Sequence, residues 1–308
     1  MKRVSLHLVV GIVFCLLVAM SASAQVARVF LAGTGNDAGD CTNQATPCRS
    51  LQGAVTQCPI NGEVIILDNG GYGSANITKS LTVNASAGVV AFIARTITVN
   101  IGATDKVVLR GLSMNGVVFG DADGIAFTGG GTLVVENSVI AGFTPGAGIN
   151  QSAAGSNLIV SHCEFRNNLF GVLTNTGSDT NTNAVIENSR FEYHGDSGFR
   201  GALGTANASI RDSVFAHNVR GVLAASTSQT QPALIVVDTC TIAHNTSGTD
   251  AETQAPGIAT IRVTNSTIYH NVNGMFVLGS GAIESYGNNR VLANTNFSMF
   301  SGTVLPQQ

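Results

Sequence analysis

One pattern of apolar and polar positions recurs along the chain. Leu158 to Val172 reads LIVSHCEFRNNLFGV, and Ala208 to Val222 reads ASIRDSVFAHNVRGV. Both run apolar-x-apolar, two polar residues, a small residue, x, Phe, and then Asn and Gly-Val at fixed offsets. The small-residue position falls at Leu112, Ser138, Cys163, Ser189, Ser213, Cys240 and Ser266, in steps of 26, 25, 26, 24, 27 and 26 residues. A fixed period in this range is the mark of a solenoid.

Numbering from the small residue as zero, −5 and −3 are apolar, as in Leu158/Val160 and Ile235/Val237. Position +2 is apolar as well, as in Phe165, Phe191, Phe215, Ile242 and Ile268. Alternation of this kind predicts half-buried strands. The parity breaks between −3 and zero, which predicts a bend at the polar pair −2/−1 (Glu187-Asn188, Arg211-Asp212). Position +5 is a second turn (Asn168, His194, Asn218, Asn245, Asn271), where Asn side chains are expected to tolerate a left-handed turn and bond from coil to coil. Position +8 is Gly in most coils (Gly146, Gly171, Gly221, Gly248, Gly274), which predicts positive φ there. A third, longer corner is polar, as in 175–183 and 226–231. Residues 74–106 alternate less regularly and read as early coils. The expected fold is an all-β, right-handed parallel β-helix of about nine or ten coils.

The two ends read differently. Lys2 and Arg3, the apolar run Leu8–Met20 and Ala22-Ser23-Ala24 have the form of a signal peptide cut after Ala24. That run is short for a membrane span, and no later stretch is long enough for one. Export implies a secreted or periplasmic protein. Ser50 is a helix N-cap, followed by an apolar face of Leu51, Ala54 and Val55, and such a helix would cover the first rung. The chain thus divides into a signal peptide (1–24), an N-terminal strand, disulfide loop and capping helix (25–60), the β-helix (61–300) and a tail (301–308).

Val29 to Asp37 (VFLAGTGND), followed by Thr46-Pro47-Cys48-Arg49-Ser50-Leu51-Gln52-Gly53-Ala54-Val55, resembles the opening of secreted right-handed β-helix proteins of the pectin-lyase-like superfamily. Gly62 to Asp68 and Gly70-Gly71-Tyr72-Gly73 resemble that group's first strand and Gly-Tyr turn. The resemblance spans nearly the whole chain after residue 24. It implies the fold and leaves the activity open, because the superfamily includes lyases, hydrolases and adhesins.

Composition narrows the function. Charged residues make up 11% and Trp is absent. Without Lys2 and Arg3, 13 basic residues stand against 18 acidic ones, with no basic stripe for nucleic acid. Five cysteines follow the signal peptide. Cys41 with Cys48 is the preferred disulfide, closing a short Pro-containing loop, with 41–58 and 48–58 as alternatives. Cys163 and Cys240 lie in the small-residue column, read as buried thiols and sit too far apart to bond. The paired spacings of a zinc site are missing.

Chemistry on this fold needs carboxylates placed across a sugar bond. Asp121 and Asp123 are the only close Asp pair, in a turn that does not establish a calcium loop, and no cofactor is assigned. The superfamily's hydrolase motifs are not present as a set. Glu164 and Arg190, Arg166 and Glu192, and Glu187, Arg211 and Asp238 share columns and are expected to form ion pairs between coils. His217, His244 and His270 share position +4 in successive coils, as stacking rather than as a metal strip. The densest polar group is Tyr193, His194, Asp196, Arg200, His217 and Arg220, the candidate ligand surface. The leading function is therefore an exported, non-catalytic protein binding polysaccharide or cell-surface glycan along its long face. The alternatives are a polysaccharide lyase or glycoside hydrolase, which carboxylates clustered over one sheet would favour, and a structural or adhesive rod.

Overall fold

Three parallel sheets, of eleven, nine and ten strands, wind around one apolar core. They are seen in a computed structural model that describes residues 27–296, 299–302 and 304. The expected signal peptide, 1–24, lies outside the described residues, as does most of the expected tail. From Gly62 to Leu278 the strands come in nine triplets, one strand to each sheet, and two more follow. The coil around Ser213 is typical. Its strands are Ala206–Arg211 in the eleven-stranded sheet, Val214–Ala216 in the ten-stranded sheet and Arg220–Ser226 in the nine-stranded sheet.

Register between coils follows the repeat. Leu158 pairs with Ala184, Ala208 with Ile235, and Ile235 with Ile261, so like positions stack into columns. The +2 column is fully buried, and Phe165, Phe191 and Phe215 stack in it at ring separations of 4.9 and 4.6 Å. Burying one such ring contributes about 2–3 kcal/mol.

The bend at −2/−1 is real and has a specific cause. Asn137, His162, Asn188, Asp212, Thr239 and Asn265, all at −1, have φ between 49° and 54°. Just beyond it, the small residue caps the corner. Ser189 Oγ donates to the Glu187 carbonyl at 2.8 Å and accepts the Cys163 amide at 3.1 Å. Cys163 and Cys240 fill the same column as buried free thiols. Burial pushes both thiols up to about 12.

Two expectations about turns need correction. The left-handed residues of the second corner are at +4, not +5: Asn167, Tyr193, His217, His244 and His270 have φ between 53° and 59°. Position +5 points inward as the ladder, with Asn218 Nδ2 donating to Asn245 Oδ1 at 3.0 Å and Asn245 Nδ2 to Asn271 Oδ1 at 3.0 Å. The recurrent glycines do not have positive φ either. A Cβ on Gly221 would lie 2.5 Å from the Gly248 carbonyl oxygen and 3.0 Å from Ile242. Glycine is required there by space, because the third strand crosses the ladder at close range.

The N-terminal end is closed by the helix Leu51–Gln57, whose Leu51, Ala54 and Val55 are buried. The Ser50 hydroxyl accepts the Gly53 amide at 2.9 Å. Asp37 holds this start in place by accepting from the amides of Arg49 and Ser50 at 2.7 and 3.0 Å. Burial opposes its ionisation, yet the bonds from Ser50 and Arg49 outweigh that and hold the carboxyl below its usual range. Cys41 and Cys48 form the disulfide and Cys58 is free and buried. Among the described residues no helix is long and apolar enough to cross a membrane.

Candidate functional site

The charges with the densest contacts lie on the outer face of the nine-stranded sheet. Alternation puts them there: Val222 and Ala224, then Thr249 and Ala251, point into the core, so Asp250 and Glu252 point out. Register lines up Arg200, Leu223, Asp250 and Phe276 across four coils, and Arg220 beside Ser197 and Ser247. Asp196 sits just before the strand Ser197–Gly201.

Arg220 is the centre of this cluster. Its Nε lies 3.0 Å from Asp250 Oδ2 and 3.6 Å from Glu252 Oε1, and its Nη1 lies 3.3 Å from Asp196 Oδ1. Asp250 is almost wholly buried and also accepts from the Ser247 hydroxyl. Burial raises its pKa to about 6, while the Ser247 bond and the Arg220 charge pull the other way and Glu252 adds to the rise. Arg200 stacks over Phe170 at 5.3 Å and reaches Asp196 at 3.8 Å. Its Nε is buried without a hydrogen-bond partner.

Two clefts flank these charges and share Glu252. One, of about 250 Å³, is lined by Arg200, Leu203, Thr227, Glu252, Gln254 and Leu278 among others. The other, of about 180 Å³, runs from Val219 and Thr246 to Arg220, Asp250 and Phe276.

The surface expected from sequence divides in three. Asp196, Arg200 and Arg220 do meet on this face. Tyr193 and His217 stand on the adjoining corner, where Tyr193, His217, His244 and His270 stack with ring separations of 4.9, 5.2 and 5.5 Å. His194 is a correction: it is 2% exposed, occupies the inward ladder and presents nothing to a ligand. Burial pushes its imidazole down to about 4. The expected ion pairs also change. Arg166 bonds Glu164 and Arg190 bonds Glu192 within single strands, since two outward residues of one strand are neighbours too. Glu187 and Arg211 do pair between coils at 2.8 Å, whereas Asp238 binds the hydroxyl of Thr239 and the amide of Asn265.

Sequence reading missed Asp250 and Glu252. The signal was there: aligning Gly221-Val-Leu-Ala-Ala-Ser with Gly248-Thr-Asp-Ala-Glu-Thr puts both acids outward, one coil from Arg220. Among the described residues no group of three His, Cys, Asp or Glu side chains is arranged to hold a metal ion.

The sequence matches a known family model, "Right handed beta helix region", over residues 98–231 and 179–290. The chain belongs to that family. No curated protein matches it in sequence. Among solved structures, pectate lyase Pel9A superposes with a TM-score of 0.57 at 13% identity, covering 92% of this chain and 73% of its own. XylC in complex with xylose gives 0.54 at 6% identity, covering 86% and 68%. At such identities the likeness is one of fold alone.

Proposed function

We propose that this chain is an exported glycan-binding protein whose site is the outer face of the nine-stranded sheet around Arg220. The observation that carries the reading is the convergence of Asp196, Asp250 and Glu252 on one arginine between two clefts. Fixed donors and acceptors beside apolar side chains suit sugar hydroxyls and ring faces. Two proteins of this fold are described as a pectate lyase and as a xylose complex, which agrees with a sugar ligand. Binding without turnover is favoured because all three acids are engaged by Arg220, which leaves none of them free as a base or nucleophile.

A second reading, a glycoside hydrolase or polysaccharide lyase, is favoured by the same clustering of carboxylates over one sheet. Asp250, with its pKa raised to about 6, and Glu252 lie against the same Nε, and carboxyl groups in unlike environments can divide acid and base roles. Incubation with acidic and neutral polysaccharides, recording retention on immobilised glycan, ultraviolet absorbance of unsaturated products and new reducing ends, separates these cases. Retention without product is expected. Product from any substrate would replace the binding reading by the enzymatic one, and no retention at all would leave a passive rod.

A further inference from the structure

We infer that the larger cleft selects a neutral sugar over a uronate. The inference rests on the glycan-binding reading above and adds the ligand's chemical class. Charge balance is the first ground. Two cations, Arg200 and Arg220, face three carboxylates, Asp196, Asp250 and Glu252. Arg220 is surrounded by all three. Arg200 has Asp196 at 3.8 Å on one side and Glu252 across the cleft. A sugar carboxylate entering here meets one cation that already faces Asp196 and one like charge on the lining, Glu252, so the cleft offers it no net attraction, whereas an uncharged sugar meets no repulsion.

The second ground is the pattern of unfilled valences. Arg200 Nε is a buried donor with no partner, and it belongs to a residue that lines the cleft. Glu252, Gln254 and Thr227 line the same space and supply acceptors and further donors. A hydroxyl can accept from the Arg200 guanidinium and donate to Glu252 at once. A carboxylate can only accept, and would leave Glu252 facing a second anion.

The third ground is shape. Leu203 and Leu278, each about half exposed, stand on the walls of the cleft with Ala225. Leu203 is held outward by a left-handed backbone (φ 48°), a conformation that disfavours a branched side chain. Paired apolar walls fit the C–H faces of an uncharged pyranose, and a volume of about 250 Å³ suits a sugar ring more than a long chain segment.

The test is glycan binding by the chain from Gln25 onward, using neutral galactan, xylan and β-glucan against polygalacturonate and alginate, each with calcium and with chelator. Tighter binding of a neutral glycan, unchanged by chelator, is expected. Glu252→Gln should weaken that binding roughly ten- to hundredfold, the loss of a charge-assisted hydrogen bond, and should narrow the gap to polygalacturonate. Leu203→Ala should weaken it without changing the gap. Thermal melting of each variant separates lost binding from lost fold. Preference for a uronate, with or without calcium, overturns the inference and leaves a glycan-binding face standing. So does neutral-sugar binding that ignores Glu252→Gln and Leu203→Ala in folded protein. Failure to bind any glycan removes both the inference and the reading beneath it.

Discussion

Asn218 accepts the backbone amide of His194 on its Oδ1 at 3.0 Å, as Asn245 does for Asn218 and Asn271 for Asn245, each at 2.9 Å. The ladder is not uniform, however. Each of these asparagines also donates Nδ2 to a carbonyl one coil back, as Asn218 does to Phe191 at 3.0 Å. His194 accepts the Asn168 amide through Nδ1 at 3.2 Å, but its Nε2 is buried without a partner. A buried unpaired group costs about 1–3 kcal/mol.

His194→Asn is therefore expected to stabilise the chain by roughly 1–2 kcal/mol in urea unfolding at neutral pH. The sign with pH is also fixed. Burial lowers the folded imidazole from 6.5 to about 4, so the unfolded chain binds the proton more readily. Wild-type stability from this group is whole above 6.5, falls as pH drops towards 4, and is flat below. The ceiling is roughly 3 kcal/mol, and His194→Asn should lack this slope. An equal slope in the variant would refute the assignment.

Gly221→Ala should cost roughly 2–3 kcal/mol, because the added methyl meets the Gly248 carbonyl oxygen at 2.5 Å and neither strand can move without shifting the ladder. Gly177→Ala should cost only about 1 kcal/mol: φ is 61° but nothing lies within 4 Å. The thermal midpoints of the two variants compare directly. Equal losses would mean that the strands relax around the added methyl and that space does not select glycine at 221.

These two positions show how far the sequence could be read. Period, core columns, the bend at −2/−1 and the N-cap at Ser50 were all legible, because each rests on a local rule repeated in several coils. Which turn residue turns left-handed was not, since Asn at +5 and His at +4 both fit that role and only the backbone path separates them. The face around Arg220 was half legible. Asp196, Arg200 and Arg220 stood out in one stretch, but Asp250 and Glu252 join them only through register across the third sheet. His194 was drawn into the surface by its neighbours in sequence, although its own column pointed inward.

Cys163 and Cys240 should behave as structural residues. With thiols raised to about 12 by burial, neither is a thiolate at neutral pH. In folded protein starting at Gln25, iodoacetamide should label none of Cys58, Cys163 and Cys240, and in denaturant it should label all three. Cys163→Ser should change stability by less than about 1 kcal/mol, since Ser fills this corner in other coils. Rapid labelling of the native protein would show that the corner opens.

Asp250 carries the last prediction, because its ionisation links the site to stability. Its folded pKa is about 6 against an ordinary 3.8, so the folded chain holds this proton more tightly than the unfolded chain. The contribution is most favourable below 3.8, declines as pH rises to 6, and is flat above; the full change is at most roughly 3 kcal/mol. This slope opposes that of His194 between about 4 and 6, so each must be read from its own single variant. Asp250→Asn should remove the decline. Arg220 keeps Asp196 at 3.3 Å and Glu252 at 3.6 Å, so the variant does not strand a buried cation. At pH 8 it should be within about 1 kcal/mol of wild type or more stable, and at pH 5 the difference should shift towards wild type. A loss above about 3 kcal/mol at pH 8 would mean that the bond between the ionised Asp250 and Arg220 outweighs the cost of burial.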